Sequence, residues 1–118
     1  IATREEESIG IAVGMSLSKS HSLVFMQNAG LANSISTITS LVQLYNIPLI
    51  FLVGWRGYLQ GDAPEHRKIG KIQPSLLKLI GLKSKIVTEK NWQTCCKWSF
   101  KQISNGFPCC LVIRRTSL

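Results

Sequence analysis

Carboxylates are scarce in this chain. Six Asp and Glu stand against fourteen Lys and Arg, a formal net charge of +8 over 118 residues, and three of the six are consecutive: Glu5, Glu6 and Glu7. A balance this basic invites nucleic acid as a partner. The cations, however, are scattered from Arg67, Lys68 and Lys78 through Lys90 and Lys101 to Arg114 and Arg115. No aromatic RNA-binding signature and no zinc-finger spacing accompanies them. No nucleic acid is expected; a basic surface of this kind suits an anionic ligand or an acidic partner. A long apolar run is also missing. The longest, residues 47–54, contains a proline and falls far short of the ~20 residues that span a bilayer. Nor is there a charged-then-apolar leader. The expectation is a soluble, cytoplasmic chain without a membrane segment. The first residue is Ile1 rather than Met, which reads as a fragment, a processed chain or a truncation.

Cysteine occurs only as two adjacent pairs, Cys95-Cys96 and Cys109-Cys110. Successive side chains on a helix or strand diverge, and neither pair has the two-residue spacing of a zinc ligand set. Buried free thiols are expected, rather than disulfides or a metal site. The length suits one domain with one core. A mean hydropathy of +0.15 with 45% apolar residues leaves apolar surface over for an interface.

Along the chain, Thr3 followed three residues later by Glu6 reads as a capping box. A helix is therefore expected to begin near Thr3 or Arg4, directly after the end of a strand. Its inner face would hold Ile9, Ala12, Val13 and Leu17, and Gly10 and Gly14 would admit a closely packed neighbour, either the sheet or a cofactor or partner chain. Residues 22–26 read as a buried strand that breaks at Gln27-Asn28-Ala29-Gly30. Residues 31–45 follow with helical apolar spacing through Leu31, Ile35, Ile38, Val42 and Tyr45, and 48–53 form a second buried strand. The stretch 58–72 reads as a long polar loop, 74–80 as a short helix ended by Gly81, and 85–88 as a strand. Last come a helix over 91–104, with Trp92, Cys95, Ser99 and Ile103 inside, a strand over 108–113 and a polar tail.

Strands alternating with helices predict an α/β fold: a parallel sheet with helices on both faces, in a single domain over 1–118. Such a sheet gathers its ligands at the C-terminal ends of the strands. Glu5, Gln27-Asn28 and Trp55-Arg56 each follow a predicted strand, so three polar clusters converge by topology alone. On these grounds Glu5 is also explained as an ordinary first-turn carboxylate, Asn33 as a helix cap, Arg56 as a turn residue, and His66 as a solvated histidine.

Four motifs in order carry a resemblance: Arg4-Glu5-x-Glu7-x-x-Gly10-Ile11-Ala12-x-Gly14, Phe25-Met26-Gln27-Asn28-x-Gly30-Leu31-x-Asn33, Ile47-Pro48, and Gly54-Trp55-Arg56-Gly57. Together they resemble the pyrimidine-binding domain of thiamin-diphosphate-dependent decarboxylases, the sulfopyruvate (alpha subunit) and phosphonopyruvate decarboxylases above all. The likeness covers residues 1–81 and the closing segment 106–113. It implies that Glu5 hydrogen-bonds a ring nitrogen of the cofactor's aminopyrimidine and thereby activates the cofactor. Gln27, Asn28, Gly30 and Asn33 match the loop beside the cofactor, although Ala32 stands where the pattern usually has a second glycine. Trp55 and Arg56 would bind the anionic end of a 2-oxo acid, and His66 would be a catalytic acid or base in an active-site loop. The Gly-Asp-Gly segment that holds Mg2+ and the diphosphate is absent, and Gly61-Asp62-Ala63 does not replace it. The resemblance therefore implies a half-site: a lyase subunit active only in a hetero-oligomer with a beta subunit that carries the diphosphate-binding domain. It also implies a strand–helix–strand unit before the present first residue. The alternatives are a phosphonopyruvate-type enzyme and a truncated, non-catalytic paralogue that serves as a structural or regulatory partner.

Overall fold

The computed structural model describes residues 1–57, 59 and 61–114. Tyr58, Gln60 and residues 115–118, which belong to the expected loop and tail, lie outside the described residues. Four strands form one all-parallel sheet: β1 (Leu23–Gln27), β2 (Ile50–Trp55), β3 (Ser84–Val87) and β4 (Cys109–Arg114), in spatial order β1-β2-β4-β3. Each connection carries helix, as parallel pairing requires.

The register sorts the two faces. Val24, Phe51 and Cys110 share one cross-strand row, and Met26, Val53 and Val112 another. All six are buried with Ile9, Ala12 and Val13 of α1 (Glu5–Leu17), Leu31 of α2 (Asn28–Asn33) and Leu77 of α4 (Pro64–Ile80). The opposite face brings Ile50, Cys109 and Leu111 against Cys95 and Ile103 of α5 (Trp92–Ser104). Helices thus cover both faces, but unevenly. α5 packs over β3 and β4, so Leu23 and Phe25 of β1 stay 53% and 66% exposed on that side. β1 is therefore an edge strand buried on one face only, not the fully buried strand its composition implied.

Several elements depart from the sequence reading for identifiable reasons. No strand precedes α1 among the described residues. The helix starts at Glu5, with extended Arg4 at its N-cap and no side-chain cap. Thr3 N–H donates to Glu7 Oε2 at 3.0 Å, so the carboxylate that reaches back is Glu7, not Glu6. The inner face continues to the half-buried Ser16, whose hydroxyl donates to Pro48 O at 3.0 Å; Leu17 is turned out and 69% exposed. Gly10 and Gly14 face open space, so close helix–sheet packing is not their role. The strand breaks at Gln27 as expected, but α2 begins directly at Asn28, three residues before the expected helix. The helix then stops at Ser34 (φ −103°, ψ 8°), makes one turn, α3 (Ile35–Thr37), and winds on as a π-helical segment, Ile38–Gln43. The Thr39 hydroxyl donates to Ile35 O and Ser36 O at 3.0 and 3.2 Å, competing with main-chain donors for those carbonyls. Leu44 and Ile47 N–H bond five residues back, to Thr39 O and Val42 O. That wider winding leaves Tyr45 65% exposed. In α5, Cys95, Ser99 and Ile103 are buried as expected, while Trp92 in the first turn is 51% exposed.

The largest departure is α4. Most of the expected loop is helix: α4 runs unbroken for 17 residues from Pro64 at its start to Gly81, a left-handed C-cap (φ 72°), and contains Pro74. An interior proline has no N–H for the carbonyl four residues earlier, which here is Gly70. The Trp55 indole supplies the missing donor, its Nε1–H reaching Gly70 O at 2.8 Å. A tertiary hydrogen bond thus replaces a helical one, and local pattern could not foresee it.

Two consequences are measurable. Trp55→Phe leaves Gly70 O without that donor and lowers stability by about 1–3 kcal/mol. In a Pro74→Ala background the restored amide competes for the same carbonyl, so the Trp55→Phe cost shrinks; equal costs in both backgrounds, by urea unfolding, would refute the substitution of donors. The second concerns the cysteines, all four of which are free. Burial pushes the Cys109 thiol up to about 11, and burial with the neighbouring Cys109 pushes Cys110 up to about 12. Both thiols are protonated and enclosed at neutral pH, and Cys96 is the only one of the four not buried. An aromatic disulfide reagent at pH 8 should titrate one thiol in the native protein and four after unfolding. Because the folded values lie above the ordinary 9.0, stability is full below pH 9 and is lost as pH rises toward 12.

Candidate functional site

The C-terminal end of β1 runs straight into α2, and the start of α1 lies alongside it. Glu5, the first residue of α1, lies half-buried directly against Gly30 of α2. A Cβ built on Gly30 would stand 2.5 Å from Glu5 Cγ, 2.9 Å from Oε1 and 3.0 Å from Cδ. Glu5 and Gly30 border an open cavity of about 650 Å3, with Arg4, Phe25, Met26 and Gln27 also in its wall. That volume is in the range of small-ligand pockets. Two further carboxylates, Glu6 and Glu7, share the first turn of α1, where the helix dipole favours negative charge.

Asn28 does something other than line this cavity. It is 1% exposed; Nδ2 donates to Arg56 O at 2.8 Å, and Oδ1 accepts from Arg56 N–H at 3.4 Å. Both ends of the amide therefore grip the main chain just beyond β2, and Asn28 latches the end of β1 to the end of β2. Asn33 is exposed at the last residue of α2 and is not in the cavity wall.

Trp55, Arg56 and His66 form a second group around the start of α4. Gly57 (φ 82°) lies against the His66 carbonyl so closely that any Cβ would collide with it. A Cβ on Gly70 would stand 2.5 Å from Arg56 O. His66 is thus in the first turn of a helix rather than in a loop, half-buried, with its main chain packed under Gly57. The Trp55 indole N–H is spent on Gly70 O. Arg56 Nε is buried with no hydrogen-bond partner among the described residues. Sequence reasoning weighed Asp62 only as a diphosphate ligand and missed its place here. Asp62 is 3% exposed, and its Oδ2 accepts from Gly57 N–H at 2.9 Å and Leu59 N–H at 3.2 Å. An Asp in a cluster of Gly57, Gly61 and Pro64 was a legible turn signal.

Of the residues singled out from sequence, Glu5, Gln27 and Gly30 therefore share one cavity. Trp55, Arg56 and His66 share one backbone cluster, Asn28 ties that cluster to the end of β1, and Asn33 joins neither. Among the described residues no group of three or more His, Cys, Asp or Glu could hold a metal ion, and no helix is long and apolar enough to cross a membrane.

Comparison with known proteins gives the geometry a context. Over 78 residues the chain is 38% identical to sulfopyruvate decarboxylase subunit alpha of Methanococcus maripaludis, a match covering 66% of this chain and 47% of that protein. The same subunit of Methanocaldococcus jannaschii is 38% identical over 76 residues, 64% of this chain and 45% of that one. Phosphonopyruvate decarboxylase of Streptomyces viridochromogenes is 31% identical over 88 residues, 74% of this chain and 22% of that enzyme. No family profile matches the chain. The chain spans about half the length of the sulfopyruvate relatives it matches. The likeness read from four short motifs thus reappears as similarity over about two thirds of the sequence, to proteins that are decarboxylases by name.

The Asn28 latch predicts a stability effect separate from any chemistry. Asn28→Ala strips partners from both the Arg56 N–H and its carbonyl and should cost about 1–3 kcal/mol in urea unfolding. Asn28→Asp, which keeps the acceptor and loses the donor, should fall between wild type and alanine.

Proposed function

We propose that this chain is the glutamate-bearing half of a thiamin-diphosphate-dependent 2-oxo-acid decarboxylase, a single pyrimidine-binding-type domain acting on 3-sulfopyruvate as a sulfopyruvate decarboxylase alpha subunit. The observation that carries the reading is the Glu5 carboxyl seated against Gly30 at the wall of a cavity of ligand size. An aminopyrimidine is a flat ring with a polar edge. A wall that combines Phe25 and Met26 with Glu5 and the Gln27 amide fits such a group. When bound, the cofactor supplies the electron sink that a 2-oxo acid needs to lose carbon dioxide.

The chain's own residues would bind and orient. Glu5 would hold a proton or hydrogen bond at its carboxyl oxygen, facing a ring nitrogen. Gln27 adds a donor and an acceptor at the same wall, and Gly30 backs Glu5. Arg56, whose buried Nε–H has no hydrogen-bond partner among the described residues, suits a sulfonate oxygen, and Asn28 acts through it by fixing its main chain. His66 is the candidate acid or base on the substrate side. Trp55, whose indole N–H is engaged with Gly70, supports this cluster.

Mg2+ and the diphosphate fall to a beta subunit. Asp62, the carboxylate nearest to the missing motif in sequence, is engaged with the Gly57 and Leu59 amides. The word alpha in the relatives' names supports such a partner. Four free cysteines suit the reducing cytoplasm. Similarity to phosphonopyruvate decarboxylase keeps phosphonopyruvate as the second substrate to try.

The test combines the chain with its candidate beta subunit, thiamin diphosphate and Mg2+, and follows carbon dioxide release from 3-sulfopyruvate and from phosphonopyruvate. Release from sulfopyruvate that falls about 10²- to 10⁴-fold in Glu5→Gln is the expected result. A stable complex without activity on either substrate would make the chain a non-catalytic partner instead.

A further inference from the structure

We propose that Gly30 is a positioning residue: its bare Cα is the seat on which the Glu5 side chain rests, and the lack of any side chain there fixes where the Glu5 carboxyl meets the cavity. The catalytic part of this inference rests on the decarboxylase reading; the steric part does not.

The glycine needs an explanation. Gly30 is inside α2, a helix of six residues, where glycine costs stability relative to alanine. Its backbone does not require glycine, since the positive-φ glycines are Gly57, Gly81 and Gly106. What requires it is Glu5. The atoms a Cβ would strike include Glu5 Cγ and Cδ, 2.5 and 3.0 Å away. These lie in the middle of the side chain, so a swing of the carboxylate tip cannot relieve the overlap. Either Glu5 must change its χ1 well or α1 and α2 must move apart. The second escape is resisted, because Asn28, two residues before Gly30, is latched to the Arg56 main chain at 2.8 Å. Alanine at position 30 therefore turns Glu5 into another rotamer and carries its carboxyl away from the cavity.

A four-member cycle of wild type, Gly30→Ala, Glu5→Ala and the double variant reads the steric part by thermal unfolding. Gly30→Ala should lower Tm when Glu5 is present. With Ala at position 5 it should leave Tm unchanged or raise it, because alanine is then simply the better helix former. Equal shifts in both backgrounds would overturn the seat. The positioning part is read in the complex with the beta subunit. Gly30→Ala should lower kcat about 100-fold, as a displacement of about 1 Å does, with KM for the 2-oxo acid nearly unchanged. Combined with Glu5→Gln it should cost no more than Glu5→Gln alone. Stability coupling with wild-type kcat in Gly30→Ala would overturn positioning. Full activity of Glu5→Gln would instead overturn the assigned role of Glu5, and with it the catalytic sense of the seat, while the thermal cycle stood.

Discussion

The Asn28 amide, closed on the Arg56 main chain at both ends, is the interaction on which the candidate site depends. A parallel sheet gathers strand ends at one edge but does not hold them at a fixed separation, because beyond the last ladder bond each chain is free to diverge. Here the ladder between β1 and β2 runs out at Gln27 and Gly54. Asn28 extends the pairing beyond that point with a side chain in place of main chain. Trp55 then ties the next turn to α4 through Gly70 O, and Asp62 closes that turn on Gly57 and Leu59. Three side chains, two bonded to main chain of the β2–α4 connection and one to α4, convert a row of strand ends into a frame. An apolar contact would not serve as well, since it tolerates sliding that a 2.8 Å hydrogen bond to a specific carbonyl does not.

Glycine completes the frame from the opposite direction. Gly57 and Gly70 let the Arg56–Gly57 turn and the first turns of α4 meet backbone to backbone, and Gly30 lets a glutamate lie on a helix. Each is a place where a Cβ would push two elements apart. They differ in what fills the space: main chain at Gly57 and Gly70, and a titratable side chain at Gly30. Only the last puts a carboxyl group in the gap, at the wall of the candidate site, while the α4 pair bears on assembly of the fold.

Much of the architecture was legible in the sequence because it rests on composition and period. The apolar segments through Val24, Phe51 and Val112 marked parallel strands, and Gly81 marked the end of a helix. Glu5 stood out because it follows the predicted strand end and falls in the first of the four motifs. That reasoning reached Glu5 although the carboxylate reaching back proved to be Glu7 rather than Glu6; a cap depends on where the first turn starts, and a one-residue shift moves it. What stayed illegible depends on contacts between distant residues. Pro64 to Ile72 reads as loop because Pro74 reads as a helix start, and nothing local reveals that Trp55 will supply the donor Pro74 lacks. Asn28 reads as a cofactor residue by motif, and only the tertiary structure shows its amide already committed. Ser22 to Met26 reads as buried because periodicity cannot say whether a second face is covered.

Charge then orders the site. Three of the chain's six carboxylates crowd the first turn of α1, within a molecule of net charge +8. A basic molecule attracts anionic ligands from a distance. At the cavity wall Glu5 stands beside Arg4, and on the proposed reading the carboxyl of Glu5 faces the cofactor's ring rather than the anionic end of a substrate. The anionic end of a substrate must therefore lie away from Glu5, toward a cation. Arg4 stands in the cavity wall itself, and Arg56, just beyond β2, has a buried Nε–H with no hydrogen-bond partner among the described residues. The neutral, flat edge of a heterocycle is what the Glu5 wall can accept. On the proposed reading this division follows from electrostatics rather than from motif. On that same reading the Asn28 latch gains a second meaning, because it ties the end of β1, beside the wall proposed for the cofactor's ring, to the arginine proposed for the substrate's charge.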